Sequence, residues 1–578
     1  MLDIEKSLFK KKPKLADKVG SKTIIKCLKA ITHEAEINHF ILQNKHLKGF
    51  SFLDQVLNHF HFSYKINAHA LNRIPAEGRL LIVANHPIGS LDGLALLKMV
   101  SCIRPDVRIV ASDLLNHIEP LKSLFLSVDN LNEKATHKSQ LKAIQQALNN
   151  DEAVIIFPSG EVSRIRPNGV RDSKWKTGFI KLAQKSNTPI LPIYIDARNS
   201  TLFYCLSALF KPLGTLLLVQ EMFNKSHQEI TFHIGKPIPW CNIEKLNFSN
   251  KTLANRFRKH LYRLDKENKK NSKLKSSLFE TIETIRHPAN AKLIKKALKK
   301  SQLLGRTQDG KRIYLYDYEA DSPVMLEIGR LREFTFRVVG EGTGTAIDLD
   351  KYDTQYRHLV LWDDEELEIV GAYRIGECQE LIKEQGVETL YSSTLFDLQP
   401  EMESYLPYAI ELGRSFVQPK YWGKRSLDYL WYGIGAYVAQ HPHIKYLFGP
   451  VSLSNAYPQN AKELIIGFYQ QQLGSQQDLA VAKRPVTLSK KNQNISKTLF
   501  TDDYRTSYKK LNALLDIEGV KVPTLFKQYA ELCEEKGCRF IDFSIDPEFG
   551  DCIDSLILVE LDKIKPKKKE RYLTPIGM

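Results

Sequence analysis

Along the first half of the chain, apolar runs of strand length alternate with stretches of helical period. Residues 80–84, 108–111, 153–157, 190–195 and 230–234 predict strands, and 91–100, 136–149 and 176–185 predict helices. That alternation predicts an α/β domain with a mainly parallel sheet over residues 61–261. The second half, residues 306–578, is again α/β but differently ordered. It predicts a strand at 312–316, a helix at 324–336, and strands at 359–362, 368–374, 389–396 and 409–417. A helix at 426–440, a strand at 446–451, a helix at 524–536 and strands at 539–545 and 555–560 complete it. The polar stretch 470–511 predicts a long excursion. Between the halves, residues 262–305 are lysine-rich and predict a charged linker. Residues 1–60 place many lysines among apolar positions, and two readings fit them: a segment lying on anionic lipid, or a solvated tail.

At 578 residues the chain exceeds one ordinary domain. Its 43% apolar content supports packed cores, and Lys+Arg 83 against Asp+Glu 66, a net +17, favours an anionic partner. The eight cysteines follow no framework and read as reduced thiols of a cytosolic protein. No Cys/His pairing completes a metal site. The opening lacks the apolar core of a secretory signal. No window reaches the roughly 18 apolar residues of a spanning helix. The nearest, 202–219, is broken by Lys211-Pro212 and Gly214. It reads as interfacial, re-entrant or core, so the chain is expected to be cytoplasmic and peripheral on the inner face of the cytoplasmic membrane. The aromatic residues do not gather with basic ones into a base-stacking platform, which argues against nucleic acid as a partner.

Candidate chemistry concentrates in two stretches. In the first, the run 80–84 stops at Asn85-His86-Pro87, and Asp92 follows a small-residue turn. A His and an Asp delivered this way make a base with an orienting partner, or merely cap a turn and start a helix. Downstream, a second strand ends in Pro158-Ser159-Gly160-Glu161-Val162-Ser163-Arg164, a turn suited to a polar or anionic head group. In the second stretch, 408–421, strand alternation places Glu411, Gly413 and Ser415 on one face and Leu412 and Arg414 on the other. A buried strand with Glu and Arg at its middle needs partners. Beyond it, Trp422-Gly423-Lys424-Arg425-Ser426 opens a helix, a place for phosphate oxygens.

The order NHP…D, FPSGE…R, WKTG and TPILPI over residues 60–245 resembles the glycerophospholipid acyltransferases. The resemblance implies His86 as general base on an acceptor hydroxyl and Asp92 as its support. It implies Asn85, Ser159, Gly160, Glu161 and Arg164 around the acceptor. Two departures stand out. Five residues separate His86 from Asp92 where the family has four, and Ser159 and Val162 replace its usual Glu and Arg. These leave the acyl chemistry intact and a glycerol-phosphate acceptor unsupported. Residues 310–562 resemble GNAT-type N-acyltransferases, in the branch that makes lyso-ornithine lipid and is similar to acyl-homoserine lactone synthases. The resemblance rests on ELGRSFVQPKYWGKRS, with EIGRLREF at 327–334, GPVS at 449–452 and DFSIDP at 542–547. It implies Glu411 deprotonating or holding the acceptor amine, and Arg332 or Arg414 meeting a carboxylate. Lys420, Gly423, Lys424 and Arg425 would meet the donor. Arg425 stands where an acetyl-CoA turn has a small residue, pointing to acyl carrier protein, with coenzyme A as the alternative carrier. As a whole the chain is similar to bifunctional ornithine lipid synthases: N-acylation of ornithine with a 3-hydroxyacyl group, then O-acylation of the resulting lyso-lipid. The resemblance implies no bound cofactor and no metal. Left open are the same chemistry on glycine or another amine, and a single lysophospholipid acyltransferase carrying a GNAT-like binding domain.

Overall fold

The computed structural model describes residues 29–30, 33–89, 91–112, 118–128, 136–166, 169–209, 211–224, 228–264 and 278–573. About half of the basic opening segment, and half of the lysines in the expected linker, lie outside these. The chain divides into two compact units, Met1–Thr284 and Ile285–Met578.

The first unit is built on a seven-stranded sheet of order β1-β9-β8-β2-β5-β3-β4. The strands are β1 (Ser63–Ile66), β2 (Leu80–Ala84), β3 (Val107–Ser112), β4 (Phe125–Val128), β5 (Ala153–Ile156), β8 (Ile190–Asp196) and β9 (Glu229–Ile234). β6 (Arg164–Arg166) and β7 (Gly169–Arg171) form a separate hairpin. All neighbours are parallel except the pair β8/β9. β2 is buried along its whole length, which is why it reads as an unbroken apolar run: a parallel strand covered on both faces has no solvent side. Helices α1 (Gly49–His59) and α2 (Leu91–Ser101) feed the core on one face. Helices α3 (Thr136–Asn149), α4 (Gly178–Ser186) and α7 (Asn250–Leu261) feed the other. The interrupted apolar window becomes two helices, α5 (Thr201–Leu209) and α6 (Lys211–Asn224). Phe203 and Tyr204 of α5 pack with Val162, and Leu217 and Leu218 of α6 lie against them.

The second unit is organised around an eight-stranded sheet of order β10-β11-β12-β13-β15-β16-β19-β18. These are β10 (Gln302–Arg306), β11 (Arg312–Tyr316), β12 (Arg357–Asp363), β13 (Glu368–Glu377), β15 (Ala409–Val417), β16 (Tyr446–Leu453), β18 (Cys538–Asp546) and β19 (Cys552–Glu560). β14 (Phe396–Leu398) and β17 (Ala480–Ala482) pair beside it. Helices α8 (Ala291–Leu298) and α9 (Pro323–Val338) pack on one face, and α10 (Ser426–Gln440) and α11 (Gln459–Leu473) on the other.

Two expectations change here. Residues 389–396 are mostly 3₁₀ turns, Gly386–Thr389 and Tyr391–Thr394, rather than a strand, because their backbone N–H groups go to a buried carboxylate instead of a neighbouring strand. The polar stretch 470–511 holds the end of α11, β17, the helix Lys490–Leu499 and the start of Tyr504–Ile517. Each of the latter two lays a thin apolar edge, including Ile495, Leu511 and Leu515, into the core, a stripe too narrow to register against a polar background.

The two central strands β15 and β16 run parallel but pair only through Ala409–Glu411 and Tyr446–Phe448. Beyond that point β15 stays with β13 and β16 stays with β19, so the sheet forks. At the crotch sits Gly449, φ +148°, where any Cβ would overlap the Leu412 carbonyl oxygen.

Candidate active sites

In the first unit, β2 and β5 are hydrogen-bonded neighbours, so both turns predicted to carry chemistry emerge at the carboxyl edge of one parallel sheet, where open α/β sheets gather ligands. His86 follows β2 directly. Its Nδ1 lies 3.1 Å from Asp92 Oδ2. Asp92 is fully buried, and its Oδ2 also accepts from the backbone N–H of Ile88 (2.9 Å) and Gly89 (3.3 Å) while Oδ1 accepts from Gly93 (2.9 Å). Those donors keep the carboxylate ionised, and its grip on Nδ1 leaves the Nε2 lone pair of His86 to take a proton. The ring plane is fixed by Phe157, stacked on it at 4.0 Å and 15°.

Burial presses His86 toward its neutral form, but the Asp92 charge and hydrogen bond outweigh it and raise its pKa above the ordinary 6.5. Burial likewise works to raise Asp92, and the neighbouring imidazole with the Ile88 and Gly89 donors pulls it below its ordinary value. Beneath the dyad lies a second carboxylate that sequence reasoning did not single out. Asp172 accepts from the His86 N–H (3.3 Å), Ser163 Oγ (2.5 Å) and Trp175 Nε1 (2.9 Å). Burial raises its pKa despite those three donors. Trp175 belongs to the WKTG tract, so its indole was a visible signal; its partner Asp172 was not.

The second turn abuts the first: Ser163 N–H donates to the His86 carbonyl (2.8 Å). Asn85 spends its amide on Ile195, donating to its carbonyl (2.9 Å) and accepting from its N–H (2.7 Å), and so ties the end of β2 to β8. Ser159 Oγ donates to the Glu161 carbonyl (2.7 Å). Gly160 has φ +66°, with the Lys176 ammonium close above it. Arg164 Nε lies 3.8 Å from Glu161 Oε2, and its Nη1 donates to the Ser207 carbonyl (3.2 Å). Val162 is buried and presses on Gly89, whose φ of +92° and crowded Cβ direction exclude a side chain. An arginine in place of Val162 would have no room.

The second unit gathers charge around the fork. Strand alternation put Glu411 and Arg414 on opposite faces, and the structure corrects this. β15 bulges against β13 between Ala372 and Arg374, and Arg414 takes a left-handed φ of +48°. The bulge turns Arg414 to the side of Glu411, and both touch Tyr391: Glu411 Oε2 accepts from its N–H (3.1 Å), while the Arg414 guanidinium lies 4.9 Å from its ring centroid.

Glu411 also accepts from Ser392 N–H (2.6 Å), Ser392 Oγ (2.5 Å) and the Tyr356 hydroxyl. Four donors fill the lone pairs of one carboxylate, an arrangement that holds a turn in place. Arg332 is fully buried, with Nη1 on Asp353 (2.7 Å) and Nη2 beside His358 Nδ1 (3.3 Å). Burial and that guanidinium press the His358 pKa down to about 3. Arg374 bonds Asp350 (2.6 Å) and lies over Tyr391 and Tyr356. Arg414 faces Asp348 (3.4 Å) and Asp350 (3.6 Å) and covers Phe549.

Near Arg414 stand three further carboxyls that the sequence reading left unassigned. Asp554 is pushed up to about 7 by burial and by the charge of Asp546, and Glu341 to about 8 by burial and by Asp554. Asp546 itself accepts from the Tyr391 hydroxyl (3.3 Å). The acid-rich tract 348–353 and the lone arginine of GAYR at 371–374 were legible signals of this cluster. Asp546 lies in the DFSIDP tract, whereas Glu341 and Asp554 carried no signal, since only the fold assembles them. At the other end of β15, Lys420 pairs with Glu368 (2.5 Å) and Gly423 takes φ +75°. Lys424 lies over the Tyr421 ring, and Arg425 donates to Gln308 and to the Tyr432 hydroxyl, each at 3.2 Å. Among the described residues no His, Cys, Asp and Glu side chains are grouped to hold a metal ion, and no helix is long and apolar enough to cross a membrane.

Comparison with known proteins gives a family for each half of the chain. Residues 6–270 match the family model described as "Acyltransferase", and residues 331–432 match "Acetyltransferase (GNAT) domain". A glycine N(alpha)-acyltransferase of Bacteroides thetaiotaomicron is 32% identical over 305 residues, 50% of this chain and 90% of that protein. This chain belongs to the acyltransferases. A lyso-glycine lipid O-acyltransferase of the same organism is 33% identical over 253 residues, 42% of this chain and 91% of its own length. An L-ornithine N(alpha)-acyltransferase of Brucella abortus is 34% identical over 143 residues, 22% of this chain and 49% of the relative. The acyltransferase is thus an α/β enzyme with an N-terminal acyltransferase domain and a C-terminal GNAT domain, the fold class expected from its sequence.

Proposed function

We propose that this acyltransferase makes a diacylated amino-acid lipid in two consecutive steps. The observation that carries the reading is the pairing, in one chain, of a His–Asp dyad suited to a hydroxyl with a separate forked sheet, beside which burial holds the Asp554 and Glu341 carboxyls well above their ordinary values and suits them to an amine. At the second unit, the amine of an amino acid attacks the carbonyl of a 3-hydroxyacyl thioester at the fork, its proton passing to Asp554 or Glu341, and the carrier thiol leaves. Glu411 positions Tyr391 and Tyr356 beside the fork. Arg414 meets the acceptor carboxylate, because it keeps some exposure beside Asp348 and Asp350 whereas Arg332 is fully buried on Asp353. Lys420, Gly423, Lys424 and Arg425 surround the donor's phosphate at the start of α10.

At the first unit, His86 Nε2 takes the proton of the 3-hydroxyl, which attacks a second acyl thioester. Asp92 holds the imidazolium that forms, and the proton goes on to the departing thiolate. Ser159, Gly160, Glu161 and Arg164 line the acceptor side, with Asn85 anchoring the strand end that carries the base. Thioesters are already activated, so both steps need only positioning, proton removal and oxyanion stabilisation.

For the amino acid we favour glycine, because the relatives covered over nine-tenths of their length carry glycine and lyso-glycine lipid in their names. Ornithine is the second reading, supported by a specific feature: three carboxyl groups, Glu341, Asp546 and Asp554, stand near Arg414, more hydrogen-bonding partners than one α-ammonium requires. Mass spectrometry of lipids from a host without amino lipids, expressing the intact chain or His86→Ala, tests the whole reading. The intact chain is expected to yield a diacyl amino lipid and the variant its monoacyl form. No new amino lipid from a well-expressed chain would overturn the two-step scheme.

A further inference from the structure

Helix α12 (Pro566–Leu573) carries Lys567, Lys568, Lys569 and Arg571, and in sequence it stands 141 residues beyond Arg425. The fold brings it to α10. Gly435 of α10 leaves the space that the Tyr572 carbonyl fills, since a Cβ there would overlap it. The Tyr572 hydroxyl donates to Asp428 in the first turn of α10 (2.8 Å), and Arg571 pairs with the same carboxylate. Tyr432 joins the two elements, accepting from Arg425 while its ring lies 5.7 Å from that of Tyr572. Three tyrosines thereby carry cations on their faces. Lys420 and Lys424 lie over Tyr421, Arg425 over Tyr429, and Lys568 and Arg571 over Tyr572.

Ring faces so occupied restrain the cations. The patch is a fixed positive surface, with the half-exposed Trp422 in its turn. It adjoins the end of β15, where a donor arm enters the fork.

We infer that α12 and the entry turn of α10 together form the dock for an acidic acyl carrier protein. The inference rests on the proposed thioester-dependent N-acylation and names which carrier delivers the donor. A donor tethered to a protein needs that protein to sit at the mouth of the fork. An aromatic anchor ringed by basic side chains meets an acidic helical partner in shape and charge. A free coenzyme A thioester makes no use of α12.

The test uses the full chain and the combined variant Lys567→Glu, Lys568→Glu, Lys569→Glu. N-acylation is measured with 3-hydroxyacyl-carrier protein and with the matching coenzyme A thioester, and binding of holo carrier protein is followed by fluorescence anisotropy. Expected are a rise of about tenfold or more in KM for the carrier-bound donor, a kcat within about twofold, an unchanged rate with the coenzyme A donor, and weaker carrier binding. An unchanged KM for carrier-bound donor overturns the inference, as does an equal loss with both donors, which would make α12 structural. Loss of binding to vesicles rich in phosphatidylglycerol with carrier binding intact would assign the patch to a membrane and overturn it too. Anisotropy does not depend on turnover. A chain that binds carrier protein yet transfers no acyl group would therefore overturn the proposed chemistry and leave the dock standing.

Discussion

His86 and Asp92 set opposite demands on pH. The raised pKa of His86 means that its imidazolium stabilises the folded state below the ordinary histidine value, and that this contribution is lost as pH rises through the folded value. Catalysis needs the neutral ring, so O-acyl transfer is expected to gain rate over the same window in which the dyad loses stabilising charge. Replacing Asp92 by Asn leaves burial opposed at His86 only by the charge of Asp172. The rising limb of kcat/KM against pH is then expected to move to lower pH, and kcat to drop by about two to four orders of magnitude as the tautomer is lost. In the second unit, Asp554→Asn is expected to remove a limb near pH 7 from the N-acylation profile, Glu341→Gln one near pH 8. Whichever variant flattens its limb identifies the group that takes the amine proton. His86 and Asp92 were legible because six residues of sequence place both at one strand end. Asp554 and Glu341 lie 213 residues apart and acquire chemistry only through burial together.

Among elements, the fork depends on one backbone position. Gly449→Ala forces a side chain into a conformation that L-residues avoid and against the Leu412 carbonyl. It is expected to destabilise the second unit by about 2 kcal/mol or more and to lower Tm in a differential scan, while O-acyl transfer by the first unit persists. The parallel sheet was readable because two-sided burial writes unbroken apolar runs into strands such as β2. β1, β4 and β10 were not, being short, and β1 and β10 are half-exposed edges. The bulge at Arg414 was equally hidden. Alternation assumes an unbroken strand, and one extra residue reverses which side chains share a face.

At the scale of the whole molecule, the proposed two-step scheme puts the site that makes a lyso-lipid and the site that consumes it in one chain. Co-expressing residues 1–284 and 285–578 as separate chains is expected to retain both activities yet release more monoacyl lipid than the intact chain at equal enzyme, because tethering raises the effective concentration of the second site. Quantifying the monoacyl to diacyl ratio by mass spectrometry checks this, and equal ratios would show that the membrane alone keeps the intermediate at hand. The division of labour inside the second unit bears on what can change. Glu411, Tyr356 and Ser392 form a hydrogen-bonded frame closed on itself, of which Glu341 and Asp554 are not part. Substitutions around that frame leave its hydrogen bonds in place, so the surroundings of the acceptor are free to change while the frame beneath them stays the same.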